Sequence, residues 1–181
     1  MPPQYYVSCS GMDLELLDWL NTYTFPQEAR YEDTEFAKEA YSIFTEDMKK
    51  SPNTRACIFG TLHVPATEIL MEQLDKTGIK AMVGKVNMDR NGSPQLQEES
   101  AQVSADATVQ WIEDTLDKFE NVKPILTPRF TPSCSDALME KLSEIQKKYH
   151  LPMQSHLSEN FGEIAWVKEL CPNTTFLWRS I

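Results

Sequence analysis

The 181-residue sequence has no apolar stretch near the ~20 residues that a membrane span needs, and its start lacks the pattern of a secretion signal. It also has no surplus of basic residues, because 17 Lys and Arg stand against 27 Asp and Glu, a formal net charge of −10. Nucleic-acid binding needs a cationic surface that displaces phosphate counterions, so this charge disfavours a nucleic-acid partner. We therefore expect a cytoplasmic protein whose partners are neither membranes nor nucleic acids.

Cysteine pairs are missing as well. Cys9, Cys57, Cys134 and Cys171 lie far apart and form no C-x-x-C motif, which argues against a disulfide scaffold or a structural zinc site. Cys57 lies in an apolar run, and we interpret it as a small core residue. Hydrophobic residues make up 41% of the chain, close to the globular average, so we expect one packed domain or most of a larger one.

The motifs of three familiar protein classes are also absent. No G-x-G-x-x-G or G-x-x-x-x-G-K motif follows a predicted strand, so a site for nucleotide phosphates is unsupported. The G-x-S-x-G motif of serine hydrolases is missing, as is the combination of H-x-E and P-C-x-x-C found in cytidine-deaminase-type zinc folds. The candidate chemistry must therefore come from other residues that the fold brings together.

The sequence does contain a regular alternation of apolar runs and amphipathic segments after a helical start. Residues 1–53 predict helices at 13–23 and 34–50, with a turn at Phe25 and Pro26 between them in which Pro26 suits the first turn of the next segment. Four predicted strands follow at 55–63, 80–89, 122–130 and 152–157, and they alternate with helices at 66–76, 100–119, 135–149 and 160–170. Such continuously apolar strands indicate parallel pairing under a cover of helices. We predict an α/β fold, either a small doubly wound sheet or part of an eight-stranded barrel.

Residues that cap helices mark two of the predicted helix starts. Ser135 or Ser133 is placed to cap the third helix of the alternating region, and Asn160 with Glu163 is a credible capping pair for the fourth.

Polar residues follow all four predicted strands at their carboxyl ends. The segments are Thr61–His63, Asn87–Asp89, Thr127–Phe130 and Gln154–Glu159. Sites in parallel α/β folds lie at this end of the strands. We therefore expect these side chains to gather on one rim of the sheet.

His156 and Glu159 form the first candidate pair on this rim. A neutral imidazole at His156 suits a metal ligand or a base, although a hydrogen-bonded core histidine fits the sequence equally well. Glu159 lies three residues on, so it faces the same site only if the chain has already left the strand. Its alternative role is an acid that stabilises a helix amino terminus.

Arg129 and Phe130 form the second candidate pair. The planar guanidinium of Arg129 suits two neighbouring acceptors, such as a carboxylate or the O6/N7 edge of guanine, and Phe130 offers an aromatic face to a planar ligand. Alternatively, Arg129 only holds a loop in place. We interpret His63 as a structural or supporting residue and His150 as a surface residue.

Three segments together resemble the guanine deaminase family of the amidohydrolase superfamily, which are zinc-dependent barrel enzymes that hydrolyse guanine to xanthine and ammonia. The segments are Gln154–Asn160, Lys123–Phe130 and Met12–Leu20, within a similarity that runs from about Gln4 to Thr175. The resemblance implies a single partial amidohydrolase domain over residues 1–181. It would consist of a helical segment at 1–53, four βα units at 54–175 that correspond to barrel strands two to five, and an atypical tail at 176–181.

The resemblance also implies roles for individual residues. His156 matches a zinc ligand, and Glu159 matches the catalytic carboxylate that moves protons between the zinc-bound water, the ring and the leaving amine. Gln4, Arg129 and Phe130 match residues that contact guanine. Zinc is thus the implied cofactor, guanine the implied substrate and a homodimer the family's typical assembly. A bound zinc can lower the pKa of its water to ~7 and so supply hydroxide.

The family's other metal ligands, an H-x-H motif before the matched glutamine and a histidine and an aspartate from later strands, have no counterpart in this sequence. A catalytic zinc needs about three protein ligands. We therefore expect a fragment, from a truncated or interrupted reading frame, that does not deaminate guanine by itself. Two alternatives stay open: a non-catalytic α/β module that binds a purine or a protein, and a fragment of an amidohydrolase that acts on a related aminated heterocycle.

Overall fold

A computed structural model describes residues 1–173, so the predicted tail at 176–181 lies outside the described residues. The helices are α1 (Leu16–Trp19), α2 (Phe25–Ala29), α3 (Thr34–Lys50), α4 (Val64–Asp75), α5 (Ala101–Thr115), α6 (Asp136–Tyr149) and α7 (Phe161–Leu170). The strands are β1 (Arg55–Phe59), β2 (Lys80–Gly84), β3 (Val86–Asn87), β4 (Val122–Pro124) and β5 (Thr127–Pro128). Short 3-10 turns form at Pro2–Val7, Arg30–Glu32 and Thr131–Ser133. None of the helices described in residues 1–173 is long and apolar enough to span a bilayer.

The strands are all parallel and form two small sheets. One sheet has the order β1-β2-β4, and the other pairs β3 with β5. Parallel neighbours must be joined by long crossovers, and α4 and α5 supply them between β1, β2 and β4. The predicted parallel α/β architecture is confirmed.

Two of the predicted strands are each broken into two pieces, which the sequence analysis did not foresee. The first break falls at Lys85, whose buried ammonium pairs with the carboxylate of Glu98. Gly84 permits a close approach at this point, because a Cβ there would lie 1.7 Å from Thr127 Oγ1. Beyond the break, the N–H of Arg129 donates to the carbonyl of Asn87 at 3.2 Å. Both strands therefore pass from one small sheet to the other just before the rim.

The predicted fourth strand at 152–157 does not form as a regular strand, and this expectation was wrong. The segment runs parallel to Leu126, which donates to the carbonyl of Pro152 at 3.0 Å and accepts from the N–H of Gln154 at 2.9 Å. Farther along, the N–H of His156 donates to the carbonyl of Arg129 at 3.0 Å. Pro152 has no N–H to donate, and these contacts straddle the gap between β4 and β5, so no continuous ladder forms.

The helical start also differs from the prediction. Instead of a turn at Phe25 and Pro26, a π-helical turn at Leu20–Thr24 leads directly into α2, with Pro26 in the first turn of α2. Pro26 has no N–H for an i→i−4 bond, and a wider turn before it accommodates that loss. Helix α3 has the predicted bounds, and the carboxylate of Asp33 caps it by accepting from the N–H of Glu35 at 2.9 Å.

The predicted caps at Ser135 and Asn160 are confirmed, whereas the Glu163 carboxylate expected to pair with Asn160 accepts instead from the N–H groups of Ser158 and Glu159. Ser135 Oγ accepts from the N–H of Leu138 at 3.1 Å at the start of α6. Asn160 Oδ1 accepts from the N–H of Glu163 at 2.8 Å at the start of α7. Both caps satisfy N–H groups that have no partner inside their helix.

Two apolar clusters stabilise the fold of residues 1–173. The larger lies between the three-stranded sheet and helices α3, α4, α5 and α6, and it includes the fully buried Trp111. The smaller lies at the carboxyl ends of the strands, where Leu20 and Phe25 of the helical start meet Met88 and Phe130. The smaller cluster thus brings the N-terminal helices to the rim of the sheet.

Cys57 is exposed, so the prediction that it is a core residue was wrong. The reason is that β1 lies at an edge of the sheet and one sheet face is uncovered in the described part of the chain. Met82 of β2 is 39% exposed on this face, and Lys123 of β4 is exposed too, whereas Ile58 on the opposite face is buried. A cavity of about 410 Å³ opens over the uncovered face, lined by Cys57, Met82 and Lys123 among others.

This difference in burial predicts unequal thiol reactivity. At pH 8 an alkylating reagent should modify Cys57 much faster than Cys134, because Cys134 is buried and burial raises the pKa of its thiol to about 11. Peptide mapping by mass spectrometry over a time course measures both rates, and labelling in urea shows that both thiols can react. Equal rates in the native chain would contradict the described burial.

Candidate active site

A small cavity at the rim brings together all five residues that the sequence analysis singled out for the site. It has a volume of about 50 Å³, and its lining consists of Met1, Gln4, Leu20, Arg129, Phe130, His156 and Glu159. A cavity of about 600 Å³ adjoins it and shares three of these residues: Met1, Gln4 and His156. The smaller cavity has room for one or two water molecules, whereas the larger has the size of a small-molecule site.

Arg129 is buried and forms an end-on ion pair with Glu28. Nη1 lies 2.5 Å from Glu28 Oε2, and Nη2 lies 3.1 Å from Glu28 Oε1. The guanidinium carbon also lies 5.1 Å from the centre of the Phe25 ring. Two parallel charge-assisted bonds and an aromatic neighbour fix the plane of the guanidinium.

Glu28 is the residue of this site that the sequence analysis missed. It is 1% exposed, and besides Arg129 its carboxylate accepts from Gln4 Nε2 at 3.0 Å. The sequence could have indicated Glu28 through its position three residues after Phe25, because that spacing places its carboxylate on the apolar face of the same helix. Acids are almost never fully buried unless they are paired, so that placement predicts a cationic partner.

His156 is half-buried and its imidazole orientation is fixed. The ring packs on Phe59 with centroids 4.1 Å apart, and Nδ1 lies 2.9 Å from the carbonyl oxygen of Arg129. A carbonyl can only accept, so Nδ1 carries a hydrogen, and in a neutral imidazole of this tautomer the lone pair is on Nε2. In histidines that bind a metal or act as a base, a hydrogen bond at the other ring nitrogen holds the imidazole in a defined tautomer.

Glu159 lies in the loop before α7, as a shared site with His156 requires. Ser158 has φ +59°, which turns the chain out of the extended segment. The buried carboxylate of Glu163 then accepts from the N–H groups of Ser158 at 3.1 Å and Glu159 at 2.6 Å. The backbone of this loop is therefore fixed from α7, while the side chain of Glu159 remains exposed.

The loop that carries Arg129 and Phe130 is braced by its neighbours. The carbonyl of Ser133 accepts from the N–H groups of Asp89 at 3.0 Å and Arg90 at 3.2 Å. Phe130 itself meets Trp166 of α7 edge-on, with ring centroids 6.4 Å apart. Asp89 was expected on the rim, but it does not line the small cavity; its role here is to support this loop.

The other two histidines lie away from the cavity. His150 is exposed at the end of α6. His63 precedes α4, and its Nε2 is buried without a hydrogen-bond partner. Burial lowers the pKa of His63, and this effect outweighs the opposing influence of nearby carboxylates such as Glu32. The neutral imidazole at His63 fits the structural role that the sequence analysis gave it.

A catalytic zinc does not fit the described residues on their own. His156 is the one histidine that lines the cavity, and residues 1–173 contain no group of three or more His, Cys, Asp or Glu side chains that could hold a metal. A catalytic zinc is held by about three protein ligands. The described chain thus offers one candidate ligand.

Parallel βα units with a polar cavity at the carboxyl ends of the strands are the architecture of barrel-type enzymes. The profile of the amidohydrolase family matches residues 6–176. The chain belongs to the amidohydrolase family.

Similarity to individual proteins agrees with this assignment. Guanine deaminase from Rattus norvegicus is 45% identical over 171 residues, which is 94% of this chain and 38% of that protein. The crystal structure of guanine deaminase from C. acetobutylicum with guanine bound in the active site has a TM-score of 0.95 and 46% identity, and the match covers 99% of this chain and 42% of that one. The resemblance to guanine deaminase and the partial TIM-type barrel are confirmed. The chain spans about two fifths of the length of these proteins.

A more distant likeness concerns the fold alone. An adenosine deaminase from Xanthomonas campestris with bound zinc has a TM-score of 0.74 and 16% identity, over 99% of this chain and 39% of that one. The barrel architecture is therefore shared well beyond guanine deaminases.

The buried ion pair predicts a large stability effect at Arg129. Arg129→Ala leaves the carboxylate of Glu28 buried and uncompensated, so the free energy of unfolding should fall by about 3–5 kcal/mol. Urea unfolding followed by circular dichroism measures the loss. Lys38→Ala, which breaks the exposed pair with Glu35, is the control and should cost no more than about 1 kcal/mol.

Replacement of both Arg129 and Glu28 tests whether the unpaired charge causes the loss of stability. Arg129→Met combined with Glu28→Leu removes both charges, so the double variant should be more stable than Arg129→Ala. A double variant as unstable as the single one would mean that packing, rather than the unpaired charge, causes the loss.

His63 predicts a component of the pH dependence of stability. Its pKa in the folded chain lies below its usual value of 6.5, so as the pH falls through 6.5 the unfolded chain binds a proton that the folded chain does not. Stability therefore decreases as the pH falls through this window. His63→Gln should show a smaller decrease between pH 7 and pH 5 in urea titrations. The exposed His150→Gln serves as the control, and identical slopes for all three chains would refute the assignment.

Proposed function

We propose that the rim cavity is part of the guanine site of a hydrolytic deaminase, and that this chain supplies its purine-binding wall and its proton-transfer carboxylate. The observation that carries the proposal is the convergence of Gln4, Arg129, Phe130, His156 and Glu159 on one cavity. Gln4 and Glu159 stand at opposite ends of the sequence, so their meeting is a property of the fold. The similarity to guanine deaminases over almost the whole chain supports the same substrate.

The proposed purine contacts follow from the chemistry of the lining. Arg129 donates hydrogen bonds, and neighbouring acceptors such as O6 and N7 of guanine match a guanidinium. Phe130 supplies an aromatic ring, which Trp166 contacts edge-on. Gln4 offers one amide as a further polar contact. These three residues would select a flat ligand with adjacent acceptors.

Glu159 and His156 are the proposed chemical groups. The exposed carboxylate of Glu159 can take a proton from the attacking water and deliver it to the departing nitrogen. In the neutral tautomer that the Nδ1 contact selects, His156 has its lone pair on Nε2, which suits one position on a zinc ion. Because the described residues lack the remaining ligands, the deamination step itself requires groups that residues 1–173 do not supply.

The small cavity can hold a purine only if part of the N-terminal segment moves. A purine is larger than the 50 Å³ cavity, but the adjoining space of about 600 Å³ is separated from it by residues common to both linings. A shift of Met1 would join the two spaces while Gln4 keeps its hydrogen bond to Glu28. Guanine binding should therefore be accompanied by movement of Met1, which precedes the 3-10 turn at Pro2–Val7.

A non-catalytic purine-binding role for the chain by itself is the second candidate, and the single candidate metal ligand favours it. It differs from the first candidate in turnover rather than in binding. A homodimer and a cytoplasmic location stay predictions.

Guanine binding by the 181-residue chain tests the proposal. Calorimetric titration should detect binding, and Arg129→Lys should weaken it by roughly tenfold or more, because Lys keeps the charge but loses the planar donor fork. Lys38→Ala is the matched control and should bind like the unaltered chain. No binding of guanine by the folded, unaltered chain would contradict the proposed site.

Turnover separates the two candidates. With zinc added, the chain should form no xanthine from guanine, since one imidazole does not hold a catalytic zinc. Xanthine production that is lost in Glu159→Gln would instead show that the chain is catalytically complete.

A further inference from the structure

Glu28 occupies a central position between two proposed purine contacts. Its carboxylate accepts from both terminal nitrogens of Arg129, and one of its oxygens also accepts from Gln4 Nε2. Glu28 and its two partners come from three separate parts of the chain: helix α2, the N-terminal 3-10 turn and the segment after β5. Glu28 itself is absent from the lining of the cavity.

The contact with Glu28 determines which atoms of Gln4 remain available. A carboxylate can only accept, so the amide nitrogen of Gln4 must face Glu28. The second neighbour of that nitrogen is the Met1 sulfur at 3.4 Å, which is also an acceptor. The carbonyl oxygen Oε1 of Gln4 is therefore the atom left to accept from an N–H group of a ligand.

The same contact determines how Arg129 is presented. The end-on pair uses one hydrogen from each terminal nitrogen, and the guanidinium is planar, so the direction of its remaining N–H groups is fixed. The ion pair is almost fully buried, with side-chain exposures of 3% for Arg129 and 2% for Glu28. Burial removes competing water, and the arrangement is thus set before any ligand arrives.

The local fold explains why the carboxylate reaches this place. The π-helical turn at Leu20–Thr24 precedes α2, and Phe25 and Glu28 lie one turn apart on the same face of α2. Phe25 packs in the smaller apolar cluster and lies against the guanidinium of Arg129. The same face of α2 therefore provides both the aromatic contact and the carboxylate.

We propose that Glu28 is the positioning residue that sets the purine specificity of this site: it orients Arg129 as a fixed donor and Gln4 as an acceptor through Oε1. This inference rests on the proposed function, because it assumes a purine at the rim. Guanine, which offers the O6 and N7 acceptors together with an N–H edge, fits this pattern of donors and acceptors. Adenine has an amino donor in place of O6 and fits it poorly.

The first experiment needs no ligand. In NMR spectra of the 181-residue chain, the side-chain NH₂ of Gln4 and the guanidinium N–H groups of Arg129 should exchange slowly with water. Glu28→Gln should speed both exchange rates by roughly tenfold or more, because a charge-assisted acceptor is lost. Glu32→Gln, an exposed acid four residues further along that changes the net charge equally, is the control and should leave both rates unchanged.

The second experiment measures specificity. The ratio of guanine to adenine affinity should fall by roughly tenfold in Glu28→Gln, because Gln4 is then free to present either end of its amide. A merely structural role of Glu28 would weaken both purines equally and keep the ratio. Glu28→Asp guards against a variant that fails to fold, since it keeps the charge while its shorter side chain cannot reach both partners; it too should lower the ratio.

The outcomes distinguish the two proposals. Unchanged exchange rates in Glu28→Gln and Glu28→Asp, or an unchanged guanine-to-adenine ratio, would overturn the role of Glu28. If the unaltered chain binds neither purine, the proposed function fails, and with it the specificity role; the exchange rates then decide only whether Glu28 holds the two side chains.

Discussion

The buried ion pair between Glu28 and Arg129 is the contact on which the rest of the rim depends. It joins residues 101 positions apart and connects the N-terminal helices to the βα units. Two buried charges of opposite sign stabilise the fold only while they remain together, since each alone pays a large desolvation cost. The helical start is consequently not an appendage to the sheet: its acid neutralises the cation at the centre of the candidate site.

Local signals in the sequence predicted much of the fold. Helix α3 and the caps Ser135 and Asn160 could be read from short-range patterns, because a helix and its cap depend on neighbours within one turn. The exposure of Cys57 could not, because an apolar strand has the same sequence whether its second face is covered or open. The break at Lys85 likewise depends on Glu98, a partner outside the strand.

The candidate site likewise contains residues that the sequence predicted and one residue that it did not. The rule that parallel strands end at a common edge placed Arg129, Phe130, His156 and Glu159 together, and the resemblance to guanine deaminase added Gln4. Glu28 escaped notice because it lies in a short helix without a motif and becomes important only through contacts with distant segments. Local sequence patterns did not predict contacts between residues that are far apart in the sequence.

Helix α7 positions two parts of the candidate site, the loop of Glu159 and the ring of Phe130. Glu163 holds the loop of Glu159 from one side of this helix, and Trp166 one turn later supports Phe130. A small rotation or translation of α7 would therefore move the acid and the aromatic wall in concert, so their spacing is governed by a single rigid body. At the proposed purine site, substitutions that only tilt α7 would thus displace Phe130 and Glu159 together, although none of the altered atoms would line the cavity.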